Sequence, residues 1–265
     1  MHTTYPGDRR SASEIVELQL SEDGRIEAVG GQQQRPLWTF GSVTLTPATR
    51  GTVLSIGLTA AQQRAWAARL DRAAATVAAS GVLPADTDWD GTLVVLIPAS
   101  STDFTAMTGG NGSDTAAITT CAAGTPRIVI NPASFAQGSR WLQATLTHEA
   151  VHVATDSACG TGAAWVVEGM AESVAAASDA ATAKANADLV RRYLRQQGVP
   201  TALPDQLASQ ADYALAQLAA DQVRARLGAE ASAAFFARGV AGDLSDADVA
   251  DATRWYLAEL NRRAG

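Results

Sequence analysis

The stretch His148-Glu149-Ala150-Val151-His152 decides how the rest of the chain is read. It lies inside a segment, Ser139 to about Thr155, whose pattern predicts a helix capped by Ser139. Residues four apart sit one turn above each other, so both imidazoles can reach a single ion while Glu149, turned to one side, can reach a water on it. A hydrolytic zinc site needs three protein ligands and one open position, so a third donor must come from elsewhere. Trp165-Val166-Val167-Glu168-Gly169-Met170-Ala171-Glu172 offers one on the next expected helix, Ala163 to Ala177, where Glu168 and Glu172 are again one turn apart. One carboxylate can bind the ion while the other hydrogen-bonds a ligating imidazole and fixes its tautomer. The competing readings are a chance histidine pair satisfied by hydrogen bonds and a solvated helix face carrying the two glutamates.

Upstream of this centre the pattern is β. Glu14 to Leu20 alternates, Glu22-Asp23-Gly24 supplies a turn, and Val43 to Thr46 and Thr52 to Ile56 are β-branched runs separated by Pro47 and Gly51, which together predict a small meander. A helix is expected over Ala60 to Ala79, capped by Thr59 and stopped by Gly81. Thr92 to Ile97 is the clearest buried strand. The Ser-, Thr-, Gly- and Asp-rich stretch Ser100 to Gly124 favours loops and short elements, and Arg127-Ile128-Val129-Ile130 is a short strand closed by Asn131-Pro132. Downstream, helices are expected over Ala180 to Gln197 and over Asp205 to Leu227, the latter ended by Gly228. A last one opens at Ser245 with Asp248 in the capping-box position. The expected class is α+β, with a β-rich segment over 1–58 and a main domain over 59–265. That domain divides into a sheet with the active-site helix (59–155) and a helical part (156–265).

Composition bounds the function. The chain has 265 residues, 47% of them hydrophobic and 18% charged, which suits a folded protein with a substantial core. A formal net charge of −7 argues against a protein that grips phosphate backbones, so nucleic acid is not an expected partner. Lys184 is the single lysine among abundant alanine and arginine, a bias of GC-rich bacterial genomes. No run of some 20 apolar residues is present to span a bilayer, and Met1 to Arg10 lacks the apolar core of a secretion signal. The two cysteines, Cys121 and Cys159, can form one bridge, joining the segment before the Arg127 strand to the loop after the metal helix, or can stand as two thiols.

The paired motifs resemble the gluzincin clan of zinc metallopeptidases, in which H-E-x-x-H on one helix is followed by a glutamate ligand on the next, often within W-L-x-E-G-x-A-E, and in particular small bacterial peptidase-MA-like proteins. The resemblance implies a zincin-like fold, Zn²⁺ held by His148, His152 and Glu168, Glu149 as general base and later proton donor, and Glu172 supporting a ligand. It also implies a peptide or protein substrate paired with an edge strand, the place occupied by Arg127, Ile128, Val129 and Ile130. Tyr213 corresponds to the segment where related aminopeptidases carry an oxyanion-stabilising tyrosine, with Tyr193, Arg191 and Arg192 as alternatives. Two departures narrow the expectation. Met107 to Gly112 has the wrong order for the aminopeptidase G-x-M-x-N stretch, and the downstream catalytic histidine of the thermolysin-like branch is missing, since the third histidine, His2, is N-terminal. A zinc metallopeptidase is expected, against a rival reading as an inactive zinc-containing module that binds a peptide or a surface. The resemblance and a bridge together point to an extracytoplasmic location.

Overall fold

In the computed structural model of the protein, residues 2–13, 16–30, 34–110, 115–121 and 124–265 are described. Contacts divide the chain into two compact units: Met1–Ala74 with Trp89–Val153, and Ala75–Asp88 with Ala154–Gly265.

The first unit is built on a mixed five-stranded sheet of β5 (Thr44–Ala48), β6 (Gly51–Ser55), β7 (Leu93–Ile97), β8 (Ala117–Thr120) and β9 (Arg127–Ile130), in the order β5-β6-β7-β9-β8. The β6-β7 and β7-β9 pairs are parallel and the two outer pairs antiparallel. Every residue of β7 and β9 is buried, as a central strand covered on both faces requires. Helix α1 (Ala60–Ala78) connects β6 to β7; Thr59 caps it, its hydroxyl accepting from Gln62 N while Gln62 Oε1 accepts from Thr59 N. The preceding segments form two small hairpins, β1 (His2–Thr3) with β2 (Ala12–Ser13) and β3 (Glu17–Leu20) with β4 (Ile26–Gly30). The expected strand start at Glu14 and Ile15 lies outside the described residues, as do Asn111 and Gly112 of the Met107 stretch.

The N-terminal arm is fastened by charge. Arg127 Nε and NH2 donate to Asp8 Oδ1 and Oδ2 at 3.0 and 2.6 Å, and the two side chains are only 4% and 0% exposed. The guanidinium also lies 4.4 Å from the Tyr5 ring centre.

Two expectations for this unit are corrected. Pro47 does not separate strands but lies within β5, which is tolerated because β5 is a sheet edge and a missing N–H there breaks no ladder. Ser100 to Gly124 holds short elements, as expected: Ser100 caps α2 (Ser101–Met107), which buries Phe104 and Met107, and β8 follows. Most important, Arg127 to Ile130 is not an edge strand. As β9 it is paired on both sides, by β7 and β8, and the edge belongs to Ala117–Thr120.

The second unit is helical. Helix α4 (Ala164–Ser178) buries Trp165, Val166, Met170 and Val174 and crosses α6 (Gln210–Ala241) closely, joined by α5 (Ala180–Gln197) and α7 (Asp246–Ala264). The crossing depends on Gly169, since a Cβ there would stand 2.3 Å from Ala216 O. Ser209 caps α6 and Ser245 caps α7, each with its N3 aspartate completing a capping box. Gly228 ends the first helical stretch, as expected. With φ 76° and ψ 179° it breaks α6 into two rods, and the second carries the buried Phe235, Phe236 and Gly239. That second rod is absent from the sequence reading because a glycine stop reads the same whether coil or helix follows. The architecture is α+β, a mixed sheet followed by a mostly helical C-terminal half.

Candidate metal centre

Helix α3 (Ser139–Ala154) follows β9 after a short 3₁₀ stretch, and Ser139 is its first residue rather than its cap. It is held beside α1 by Arg69 NH2 to Ser139 Oγ (2.9 Å) and Arg72 Nε to Gln143 Oε1 (3.1 Å). Leu146, Ala150, Val151 and Val153 are buried, and Thr147 returns its hydroxyl to Gln143 O (2.9 Å). Trp141 is 42% exposed near the start of the helix, whereas Trp165 on α4 is buried.

With α3 anchored, His148 and His152 stand on consecutive turns, their Nε2 atoms 3.1 Å apart and their rings edge to face with centroids 4.8 Å apart. Two nitrogens each about 2.0–2.1 Å from a tetrahedral zinc ion lie about 3.3 Å from each other. The observed separation therefore fits ligation of one ion with little movement. His152 and Glu149 are buried. Glu149 is held from the sheet: Thr119 Oγ1, on β8, donates to Glu149 Oε2 at 2.7 Å and lies 3.1 Å from the Glu149 main-chain oxygen. Nothing in the sequence singles out Thr119, although Ala117-Ile118-Thr119-Thr120 carries three β-branched residues in a row, a signal for a strand.

In the second unit Glu168 is on the second turn of α4, half-buried, with Glu172 one turn on. Glu172 Oε2 accepts from Asn186 Nδ2 at 2.9 Å, and the same amide group donates to Gln217 Oε1 at 2.8 Å. Gln217 Nε2 donates to Asp221 (3.1 Å), which accepts from Ser173 Oγ (2.6 Å), and Arg224 donates to Ser173 Oγ (2.9 Å) and to Ser80 O (2.8 Å). Glu172 thus begins a chain of polar contacts that fixes it against α5 and α6. Tyr213 is half-buried in the first turn of α6; Tyr193 is half-buried on α5, where Arg191 and Arg192 are exposed and Arg191 pairs with Asp188.

Each of the three residues offers one ligand atom, His148 and His152 in the first unit and Glu168 in the second. Two imidazole nitrogens and a carboxylate oxygen are a donor set suited to zinc. Cys121 and Cys159 are disulfide-bonded and neither is free, which removes both thiols as ligands. Elsewhere in the second unit, a recess of about 240 Å³ is lined by Val82, Leu83, Phe236 and Val240 with Asp86 and Asp88, and it contains none of the expected site residues. Among the described residues, no helix is long and apolar enough to cross a membrane.

No protein-family model and no curated protein matches the chain. Among solved structures it is similar to an M1 zinc metallopeptidase from Deinococcus radiodurans, with TM-score 0.43 and 18% identity over 84% of this chain and 50% of that one. It is also similar to a two-domain M1 zinc metallopeptidase with a glutamate-to-alanine substitution. The form bound to L-tryptophan gives TM-score 0.43 and 15% identity over 84% of this chain and 51% of that one, and the form bound to L-arginine gives the same values with 50% of that chain covered. The chain spans about half the length of these structures.

Proposed function

We propose that the protein is a zinc-dependent peptidase of zincin-like fold, with His148, His152 and Glu168 as the ligands of one ion and Glu149 as the general base. The observation that carries this reading is the pair of imidazole nitrogens 3.1 Å apart on α3, with a buried carboxylate on the residue between their turns. Bound zinc would supply a Lewis acid that polarises the scissile carbonyl and makes water acidic near neutrality. The protein's own groups do the rest. Glu149, with one oxygen tethered by Thr119, keeps the other to take the proton from the attacking water and return it to the leaving amine. Glu172, braced by Asn186, is assigned to orient a ligating imidazole and fix its tautomer. Tyr213 is assigned to the oxyanion. The substrate backbone is assigned to the free edge of β8 in place of β9, where main-chain hydrogen bonds would hold an extended peptide. The disulfide supports an oxidising, extracytoplasmic compartment.

The test is elemental analysis of protein purified without added zinc, coupled to a peptide-library cleavage screen with chelator controls. Wild type is expected to hold one zinc per chain and lose cleavage on chelation. Glu149→Gln is expected to keep the metal while losing about 10²–10⁴-fold in rate, and His148→Ala or His152→Ala to lose the metal. Protein free of zinc refutes the centre. Glu149→Gln turnover at the wild-type rate refutes the base, and stoichiometric zinc without cleavage leaves a peptide-binding module.

A further inference from the structure

The hydroxyl that reaches Glu149 comes from the sheet, not from the helix that carries the carboxylate. Thr119 is the third residue of β8, paired with Ile128 of β9, and its Oγ1 lies 2.7 Å from Glu149 Oε2. We propose that Thr119 is a positioning residue for the base: its hydroxyl occupies Oε2, stops the carboxylate from exchanging its two oxygens by rotation, and leaves Oε1 presented for proton transfer. This rests on the peptidase reading given above and adds to it the part that sets the orientation of the base.

Four observations carry it. A glutamate side chain has three rotatable bonds, and its terminal torsion is a broad, roughly two-fold well. A buried carboxylate with no partner at its tip would therefore be poorly aligned, whereas a hydrogen bond there fixes one of its oxygens. The observed 2.7 Å is a well-formed O–H···O distance. The donor is itself well placed, because Thr119 is β-branched, with restricted χ1, and its strand is registered through all four residues against a fully buried neighbour. The same oxygen lies 3.1 Å from the Glu149 main-chain carbonyl, so strand and helix meet at this residue through both backbone and side chain. Finally, β8 is the sheet edge next to this contact, so the strand available to an extended peptide also holds the base. Occupancy of the edge and alignment of Glu149 are then coupled through one residue.

The experiment compares Thr119→Val, which keeps the shape and deletes the donor, with Thr119→Ser, which keeps the donor. It uses a fluorogenic peptide pool on the zinc-loaded full chain, together with a double-mutant cycle of Thr119→Val and Glu149→Ala read as denaturant midpoints of the same chain. In Thr119→Val, kcat is expected to fall about tenfold or more with KM within twofold and zinc content unchanged, and Thr119→Ser is expected to recover most of the loss. In the cycle, Thr119→Val lowers the midpoint when Glu149 is present and has little effect once it is alanine. Equal midpoint shifts in both backgrounds overturn the contact. A Thr119→Val enzyme with wild-type kcat, or a serine variant as impaired as the valine one, overturns its role in aligning the base. If wild type shows the coupling but cleaves no peptide, the peptidase reading falls while the tethering of Glu149 by Thr119 stands.

Discussion

Replacing Gly169 by alanine tests how the second unit holds its α4–α6 crossing. In an unconstrained helix the change would stabilise by about 0.8–1 kcal/mol, since alanine loses less backbone freedom. Here the added Cβ would stand 2.3 Å from the carbonyl oxygen of Ala216 and 2.7 Å from its carbon. An ordinary carbon–oxygen contact is roughly 3.3 Å, so the two backbones would have to separate by about 1 Å. The obstacle is main chain, which cannot swing aside as a side-chain tip can. Overpacking of this kind costs about 1–3 kcal/mol or more, which exceeds the propensity gain. A net loss of about 1–2 kcal/mol corresponds to a fall in Tm of roughly 2–8 °C for a protein of this size. Far-UV circular dichroism during heating reads it directly. Gly239→Ala is the useful companion, because its Cβ would meet Val166 Cγ1 at 2.6 Å, a buried β-branched side chain with restricted χ1, and its Tm should fall as well. A Gly169→Ala protein that melts at or above the wild-type temperature would refute the steric argument. On the proposed ligand set its zinc affinity should drop too, because Glu168 precedes the displaced residue.

Asp8→Ala would strand the Arg127 guanidinium in a site where both partners are almost wholly buried. The expected destabilisation is about 3–5 kcal/mol, measured by denaturant unfolding; a change below 1 kcal/mol would show that the arm is not fastened by this pair. At the end of α7, Arg262 above all, with Arg263, holds the Glu259 carboxyl down at about 2 against its ordinary 4.5. A carboxylate whose pKa is depressed on folding contributes stability that is present above about pH 5 and is lost as pH falls towards 2. Because Arg262, the main partner, is 70% exposed and solvent screens the pair, Glu259→Gln should cost no more than about 0.5 kcal/mol at pH 7. The difference from wild type should vanish near pH 2; a constant difference from pH 7 to 2 would remove the charge explanation.

The chain's helical signals were legible because caps and period are local. Thr59, Ser245 and the i, i+4 spacing of His148 and His152 each act within one or two turns, and the helices they mark are present within a few residues. What was misread depends on partners distant in sequence. Arg127 to Ile130 has the composition of a strand, but whether a strand is edge or interior is decided by what pairs with it, and the pairing of β9 on both sides is invisible in four apolar residues. The same blindness hid Thr119, whose importance comes from Glu149, thirty residues away on another element. Pro47 was read as a breaker since proline usually is one, and only its place on an outer strand makes it harmless. Trp141 shows the limit of residue-type rules, for a large aromatic at the start of a helix can remain outside when the core-facing stripe begins one residue later, at Leu142.

The break at Gly228 has a consequence for how α6 can change. A straight helix of 32 residues would be about 48 Å long, more than a compact body of this unit's size spans. Divided at the glycine, the two rods keep independent angular phase, so the apolar stripe through Leu215, Leu218 and Val223 need not align with that through Phe235, Phe236 and Val240. Evolution can therefore rotate or lengthen one rod without unseating the other, and the joint works as a coupling between two separately adjustable shafts.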